Sequence, residues 1–211
     1  MELTEQYLSE ALRRLKVGEV VAFPTETFYG LAADPANRLG VTTLLALKSR
    51  GAAEGIPIII DSSSRIEEWV EPSESEVVRA KRREIQQHLW PGPLTLVFTA
   101  NRRAREAFHE GIFGRELSLA MRWSSDKTAC DLARGLSGVV TATSANPKAF
   151  TPPCTALATR AYFPSLFIVP REDDYQAREN ISPSTLLDVR EFPFKIVRAG
   201  AVSEEALHEW L

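Results

Sequence analysis

Histidine, cysteine and methionine are scarce in this chain, at three, two and two of 211 residues. His88, His109 and His208 stand far apart, and Cys130 and Cys154 lack metal-ligand spacing, so no compact His/Cys metal centre can be read from the sequence. A domain of this length buries enough core to hold without a disulfide, and both cysteines are expected as free thiols in a reducing compartment. No apolar run reaches membrane-spanning length. The start, Met1-Glu2-Leu3-Thr4-Glu5, is acidic where a secretory signal is basic and then apolar. A cytoplasmic protein with no membrane partner is expected. Positive charge is not in excess either: 25 Lys and Arg face 28 Asp and Glu, for a net charge of −3. That balance lacks the basic footprint of a protein whose main task is gripping a phosphate backbone. The Walker A sequence, the dinucleotide Gly-x-Gly-x-x-Gly and a nucleophile-elbow serine are absent as well. A bound nucleotide would therefore be held outside both of those phosphate loops.

The most informative stretch that is present runs Pro24-Thr25-Glu26-Thr27-Phe28-Tyr29-Gly30-Leu31, directly after the apolar Val20-Val21-Ala22-Phe23. Pro24 has no backbone donor, so a strand stops there. The chain leaves it carrying two hydroxyls, a carboxylate and a phenol, and ligands bind beyond strand ends in open α/β sheets. Around this point the periodicities predict helices over 4–17, 41–48, 126–134 and 155–162, and a last one after Ser203. Capping-box spacing at Ser64/Glu67 and Ser73/Glu76 predicts two more, the second running to about His88. Strands are predicted at 19–23, 56–60, 94–99, 117–122, 139–143, 166–169, 184–189 and 194–198. Helices and strands mix without strict alternation, which gives an α/β fold with a twisted open mixed sheet flanked by helices. No repeat or linker divides it, so a single domain is expected.

Polar clusters fall at element ends: Thr25–Tyr29, Lys48-Ser49-Arg50, Ser118 to Arg122, Ser144-Ala145-Asn146, Ser184-Thr185 and Arg198. They supply cations and hydroxyl or amide donors and little else, an inventory that suits a polyphosphate ligand. Two further basic runs, Lys81-Arg82-Arg83 and Arg102-Arg103-Ala104-Arg105, read as solvated surface.

In order along the chain, the segments Val21 to Leu31, Lys48-Ser49-Arg50, Trp90-Pro91-Gly92-Pro93-Leu94-Thr95, Leu119-Ala120-Met121-Arg122, Ser144-Ala145-Asn146, Ser184 to Asp188 and Val197-Arg198-Ala199-Gly200 resemble the YrdC/TsaC family. That family comprises the threonylcarbamoyl-AMP synthases, which begin synthesis of the tRNA modification t6A, and the match is to their short bacterial form. The resemblance extends over residues 4–202 and implies one domain with a twisted open α/β fold and a concave basic cleft. It also implies a nucleotidyltransferase that forms threonylcarbamoyl-AMP and pyrophosphate from ATP, L-threonine and bicarbonate. Mg²⁺ would arrive with ATP rather than at a dedicated protein site, and t6A transfer proteins would act downstream. By the family pattern, Thr25, Arg122, Ala142 and Ser184 would face threonine. Lys48, Arg50, Ser118, Ser144, Asn146 and Arg198 would face ATP, with Lys48 and Arg50 as the catalytic cations. Both are expected to be exposed and to add little to folding.

Some positions depart from the pattern. The connection Gly51 to Gly55 is longer than usual, Asp61 stands where many members have histidine, and a family serine that holds ATP falls at Pro152. Aspartate cannot supply an imidazole's donor, so Asp61 is expected to tune threonine affinity rather than to be required. Two alternatives are a YciO-type paralogue with a different activity and a YrdC-like module whose cleft contacts structured RNA, tRNA or another duplex. The acidic balance speaks against the second.

Overall fold

Leu8, Ala11, Leu12 and Leu15 share one side of the first helix, α1 (Leu3–Lys16), and Ala11 and Leu15 are fully buried. The computed structural model describes residues 3–49, 54–171 and 181–211, so Arg50 lies outside the described residues. After α1 come β1 (Val21–Phe23), β2 (Gly30–Ala32), α2 (Arg38–Lys48) and β3 (Ile58–Ile60). They are followed by α3 (Ile66–Trp69), α4 (Glu76–Leu89), β4 (Leu94–Thr99), α5 (Arg102–Ala107), β5 (Ser118–Trp123) and α6 (Lys127–Gly135). The chain ends with β6 (Val139–Thr141), β7 (Thr143–Ser144), α7 (Ala156–Tyr162), β8 (Phe167–Ile168), β9 (Thr185–Asp188), β10 (Lys195–Arg198) and α8 (Glu204–Leu207).

The expected mixed sheet is present in two parts, with strand orders β7-β2-β1-β8 and β10-β9-β4-β5-β3-β6. Residues 139–143 were expected as one strand. They change sheets at Ala142: β6 pairs antiparallel with β3, and β7 pairs with β2. The two sheets are stitched at that step, where Ala33 N donates to Thr141 Oγ1 at 2.7 Å and Thr141 N to Ala33 O at 3.1 Å. Ala142 N donates to Pro57 O at 2.8 Å, so Pro57 sits just before β3 and contributes only a carbonyl. The larger core fills one side of the six-stranded sheet. A smaller one packs Ala11 and Leu15 of α1 with Ala129, Leu132 and Ala133 of α6 onto Val21, Phe23, Ile59 and Val140. No described helix is long and apolar enough to cross a membrane.

Capping residues account for most helix starts. Asn37, Asp126, Thr155 and Ser203 each accept a backbone N–H of the first turn. Two capping predictions need correction. Ser75, not Ser73, caps α4 by accepting from Val78 N at 3.3 Å, because it is the last extended residue before the helix. Ser64 lies inside a short 3₁₀ turn and spends its hydroxyl on Ser62. Arg82 also differs from its surface reading. It is buried, and its Nε donates to Val189 O at 2.8 Å, tying α4 to the end of β9.

Candidate active site

The junction of the two sheets leaves a cleft of about 400 Å³. The cleft is lined by Thr25 and Thr27 to Gly30 with Ala142 to Ser144 on one side, by Pro57 to Ile59, Thr95 and Arg122 on the other, and by Lys48, Glu54, Lys148, Pro152, Pro183, Ser184 and Arg198 around them. Gly30 lines it as backbone, and a Cβ there would lie 3.0 Å from the buried Phe23 ring. Four lining side chains are cations and one is a carboxylate, so the cleft is locally positive in a chain of net charge −3. A concave surface of one sign focuses its field on an anionic ligand.

Three polar groups meet there. Deepest is the loop that follows Pro24. Thr25 Oγ1 donates to Phe28 O at 2.7 Å and accepts from Thr27 N at 3.1 Å, which curls the loop around the hydroxyl. Arg122, on β5 opposite, donates to Thr27 Oγ1 at 3.3 Å and lies 3.7 Å from Glu26 Oε1. Thr25 and Arg122 are only 2% and 7% exposed, so a ligand carboxylate reaching the guanidinium would be largely desolvated.

The second group centres on Lys48, the last residue of α2. Its ammonium donates to Ser144 O at 2.6 Å, Asn146 O at 2.5 Å and Asn146 Oδ1 at 3.2 Å. This corrects the expectation of an exposed lysine: it is 9% exposed and holds the Ser-Ala-Asn loop against α2. Lys148 faces Glu54 across the rim at 3.8 Å. The third group joins Thr95 Oγ1 to Ser184 Oγ at 2.8 Å, while Arg198 Nη2 donates to Ser184 O at 2.8 Å.

Of the residues predicted for the site, Thr25, Lys48, Arg122, Ala142, Ser144, Ser184 and Arg198 are brought together. Ser118 is not. It opens β5 opposite Thr99, four residues before Arg122 on an extended strand, and lies off the cleft wall. Asn146 stands behind the wall, with its amide spent on Pro147 O and Phe150 O and its carbonyl on Lys48. These bonds fix the loop, and Asn146 is not among the residues that line the cleft. Thr27, Thr95, Glu54 and Lys148 are additional wall residues. The first two lie inside the quoted motifs, while nothing in spacing marks the last two. The Trp90–Pro93 motif acts indirectly: Gly92 N donates to Trp123 O at 2.9 Å, and Pro93 O accepts from Thr185 N at 3.0 Å. These bonds set β4 between β5 and β9, which places Thr95.

Asp61 needs a correction as well. Its carboxylate accepts from Arg65 Nε at 2.9 Å, and it lies outside the cleft, at the end of β3 away from Ala142. The Arg65 guanidinium in turn covers Gly138, whose φ of +96° is a conformation that favours glycine. Asp61→Ala should lower stability by about 1 kcal/mol, the scale of a partly exposed ion pair. Threonine KM should stay at the wild-type value. Thermal melts and initial rates on one preparation check both.

Behind the loop, burial raises the Asp126 carboxyl above its ordinary range, with Glu26 adding to the rise and Arg171 opposing it. Burial, with Glu26 nearby, also pushes the Cys130 thiol up to about 11. A thiol so protonated at neutral pH is no nucleophile.

The Sua5/YciO/YrdC family model, described as "Telomere recombination", matches residues 13–200. A threonylcarbamoyl-AMP synthase of Thiobacillus denitrificans is 35% identical over 185 residues, covering 88% of this chain and 91% of that protein. Another, of Halorhodospira halophila, is 35% identical over 153 residues, covering 72% of this chain and 75% of that protein. Among solved structures, P. abyssi Sua5 complexed with L-threonine superposes with a TM-score of 0.85 at 24% identity. All of this chain is covered, and it spans 58% of that one. E. coli YciO gives a TM-score of 0.78 at 15% identity, covering 100% of this chain and 95% of that one. At these identities the structural matches speak to fold.

Proposed function

This chain belongs to the Sua5/YciO/YrdC family, and we propose that it is a threonylcarbamoyl-AMP synthase acting in t6A synthesis. The observation that carries this reading is the cleft itself. A buried arginine beside two threonine hydroxyls lies within the same 400 Å³ as three further cations. The first set suits a small amino acid with a carboxylate and a hydroxyl, and the second suits a triphosphate.

The threonine amine takes up bicarbonate and loses water to give a carbamate. A carbamate oxygen then attacks the α-phosphorus of ATP, the bond to the β-phosphate oxygen breaks, and pyrophosphate leaves. One anion approaches another, so charge and alignment carry the catalysis and no covalent enzyme intermediate is needed. Arg122 takes the threonine carboxylate. Thr25, Thr27 and Ser184 supply hydroxyls around it, and Ala142 presents its backbone. Lys48, Arg198 and Lys148 face the phosphates with Ser144, while Arg50, outside the described residues, has this role from the family resemblance alone. Pro152 adds a wall without a hydroxyl.

Among the described residues no three His, Cys, Asp or Glu side chains gather into a metal site. The hard oxygens at hand are Glu54 and the hydroxyls of Thr143 and Ser144. Such a donor set fits Mg²⁺ held mainly by phosphate and water. Its chemistry when bound is to offset phosphate charge against the incoming carbamate.

Initial-rate pyrophosphate release with each substrate withheld in turn tests this. Release should require ATP, L-threonine and bicarbonate together. Equal release without threonine would refute the synthase and favour a YciO-type activity.

A further inference from the structure

One residue holds both ends of the loop that carries the cleft hydroxyls. The Arg171 guanidinium donates to the Thr25 carbonyl, and the Arg171 backbone N–H donates to Tyr29 Oη at 3.1 Å. The same guanidinium lies 3.6 Å from Asp126 Oδ2. Asp126 caps α6 through Ala129 N at 3.2 Å, and its own N–H donates to Ser124 Oγ at 3.2 Å. The Ser124 hydroxyl donates to the Glu26 carboxylate, which faces Arg122 from its other oxygen. Thr25, Arg171, Asp126, Ser124 and Glu26 thus form a closed ring, since Glu26 follows Thr25 in the chain. Arg171 and Asp126 are only 12% and 14% exposed, and neither lines the cleft.

Buried ion pairs are poor sources of net stability, and apolar residues of the same volume often serve as well. What a charged ring adds is geometry. Arg171 reaches a loop carbonyl and a helix cap at once, so it sets where Thr25 stands relative to α6. Through Glu26 the ring also braces the guanidinium of Arg122. We propose that Arg171 is a positioning residue for the amino-acid half of the cleft, fixing the Thr25–Tyr29 loop so that its hydroxyls and Arg122 meet one ligand. The proposal deepens the threonine reading above and rests on it for the identity of that ligand.

Three variants of the full chain test it: Arg171→Met, which keeps the stem; Arg171→Lys, which keeps the charge; and Asp126→Asn, which keeps the helix cap. Arg171→Met should raise threonine KM by about tenfold to a hundredfold, the cost of misplacing a binding group by a fraction of an ångström or more. Its kcat and ATP KM should stay within about threefold of wild type, since uniform binding alone is lost. Arg171→Lys should recover much of the loss. Asp126→Asn should shift threonine KM the same way and add little on top of Arg171→Met, as members of one network do. Amide hydrogen exchange over residues 24–30 reads the loop with no substrate present, and it should quicken in Arg171→Met and slow again in Arg171→Lys. Unchanged exchange, or a lowered melting temperature with threonine KM unmoved, would overturn the positioning role. If wild-type protein releases no pyrophosphate in a threonine-dependent way, the functional reading fails while the exchange experiment still decides what Arg171 does to the loop.

Discussion

Replacing Lys48 with methionine should lower kcat by about 10²–10³, the scale of removing one preorganised electrostatic group from a transition state. The ammonium stands at the end of α2 among the carbonyls of Ser144 and Asn146, on the wall of a positive cleft. In catalysis it would offset the charge that gathers as carbamate and triphosphate meet. The same contacts carry a structural cost. Without the ammonium, the Asn146 carbonyl loses this donor and the Ser144 carbonyl is left with Asn146 N, and stability should fall by about 1–3 kcal/mol. Turnover is therefore measured well below the melting temperature, with circular dichroism confirming the fold. Lys81→Ala is the control: Lys81 pairs with Glu84 on the surface of α4, away from the cleft, and should leave kcat unchanged. Equal rates in the two variants would remove Lys48 from the catalytic cleft.

The second large effect belongs to Arg122. Arg122→Leu should weaken threonine binding by about 2–5 kcal/mol, the range for truncating one partner of a buried, hydrogen-bonded charge pair. In KM that is about thirtyfold to several thousandfold. Loss of the guanidinium also leaves Glu26, 3.7 Å away, without that cation, which adds to the repulsion of an incoming carboxylate. Arg122→Lys should recover only part, because an ammonium lacks the planar fork that meets two carboxylate oxygens. ATP KM should change far less than threonine KM. An equal rise in both would mean that Arg122 serves the nucleotide or the cleft as a whole.

Much of this arrangement was legible in the sequence because local chemistry decides it. Pro24 ends a strand wherever it occurs, and the hydroxyls after it had to form a loop. Asp126, Thr155 and Ser203 cap helices by a short-range bond that depends on few other residues. What stayed hidden depends on long-range pairing. Nothing in residues 139–144 shows that the strand changes sheets at Ala142, since only its partners, β3 and β2, reveal it. Lys48 read as an exposed cation because its acceptors lie about a hundred positions onward, at Ser144 and Asn146. Asp61 is a different case: it stands where many family members have histidine, but its carboxylate is taken by Arg65, only four residues away, outside the cleft. Arg82 misled for a related reason. A basic run looks like solvated surface until the carbonyl of Val189 is brought beneath it.

The central claim is that one cleft joins a threonine-derived carbamate to the α-phosphate of ATP. Mass spectrometry of the product formed from ¹³C-bicarbonate, unlabelled L-threonine and ATP tests it most directly. The expected product is a threonylcarbamoyl-adenylate carrying a single ¹³C, with pyrophosphate in equal amount, and neither in the absence of threonine. Pyrophosphate accompanied by AMP alone, with no labelled adduct when the reaction is sampled early, would contradict it.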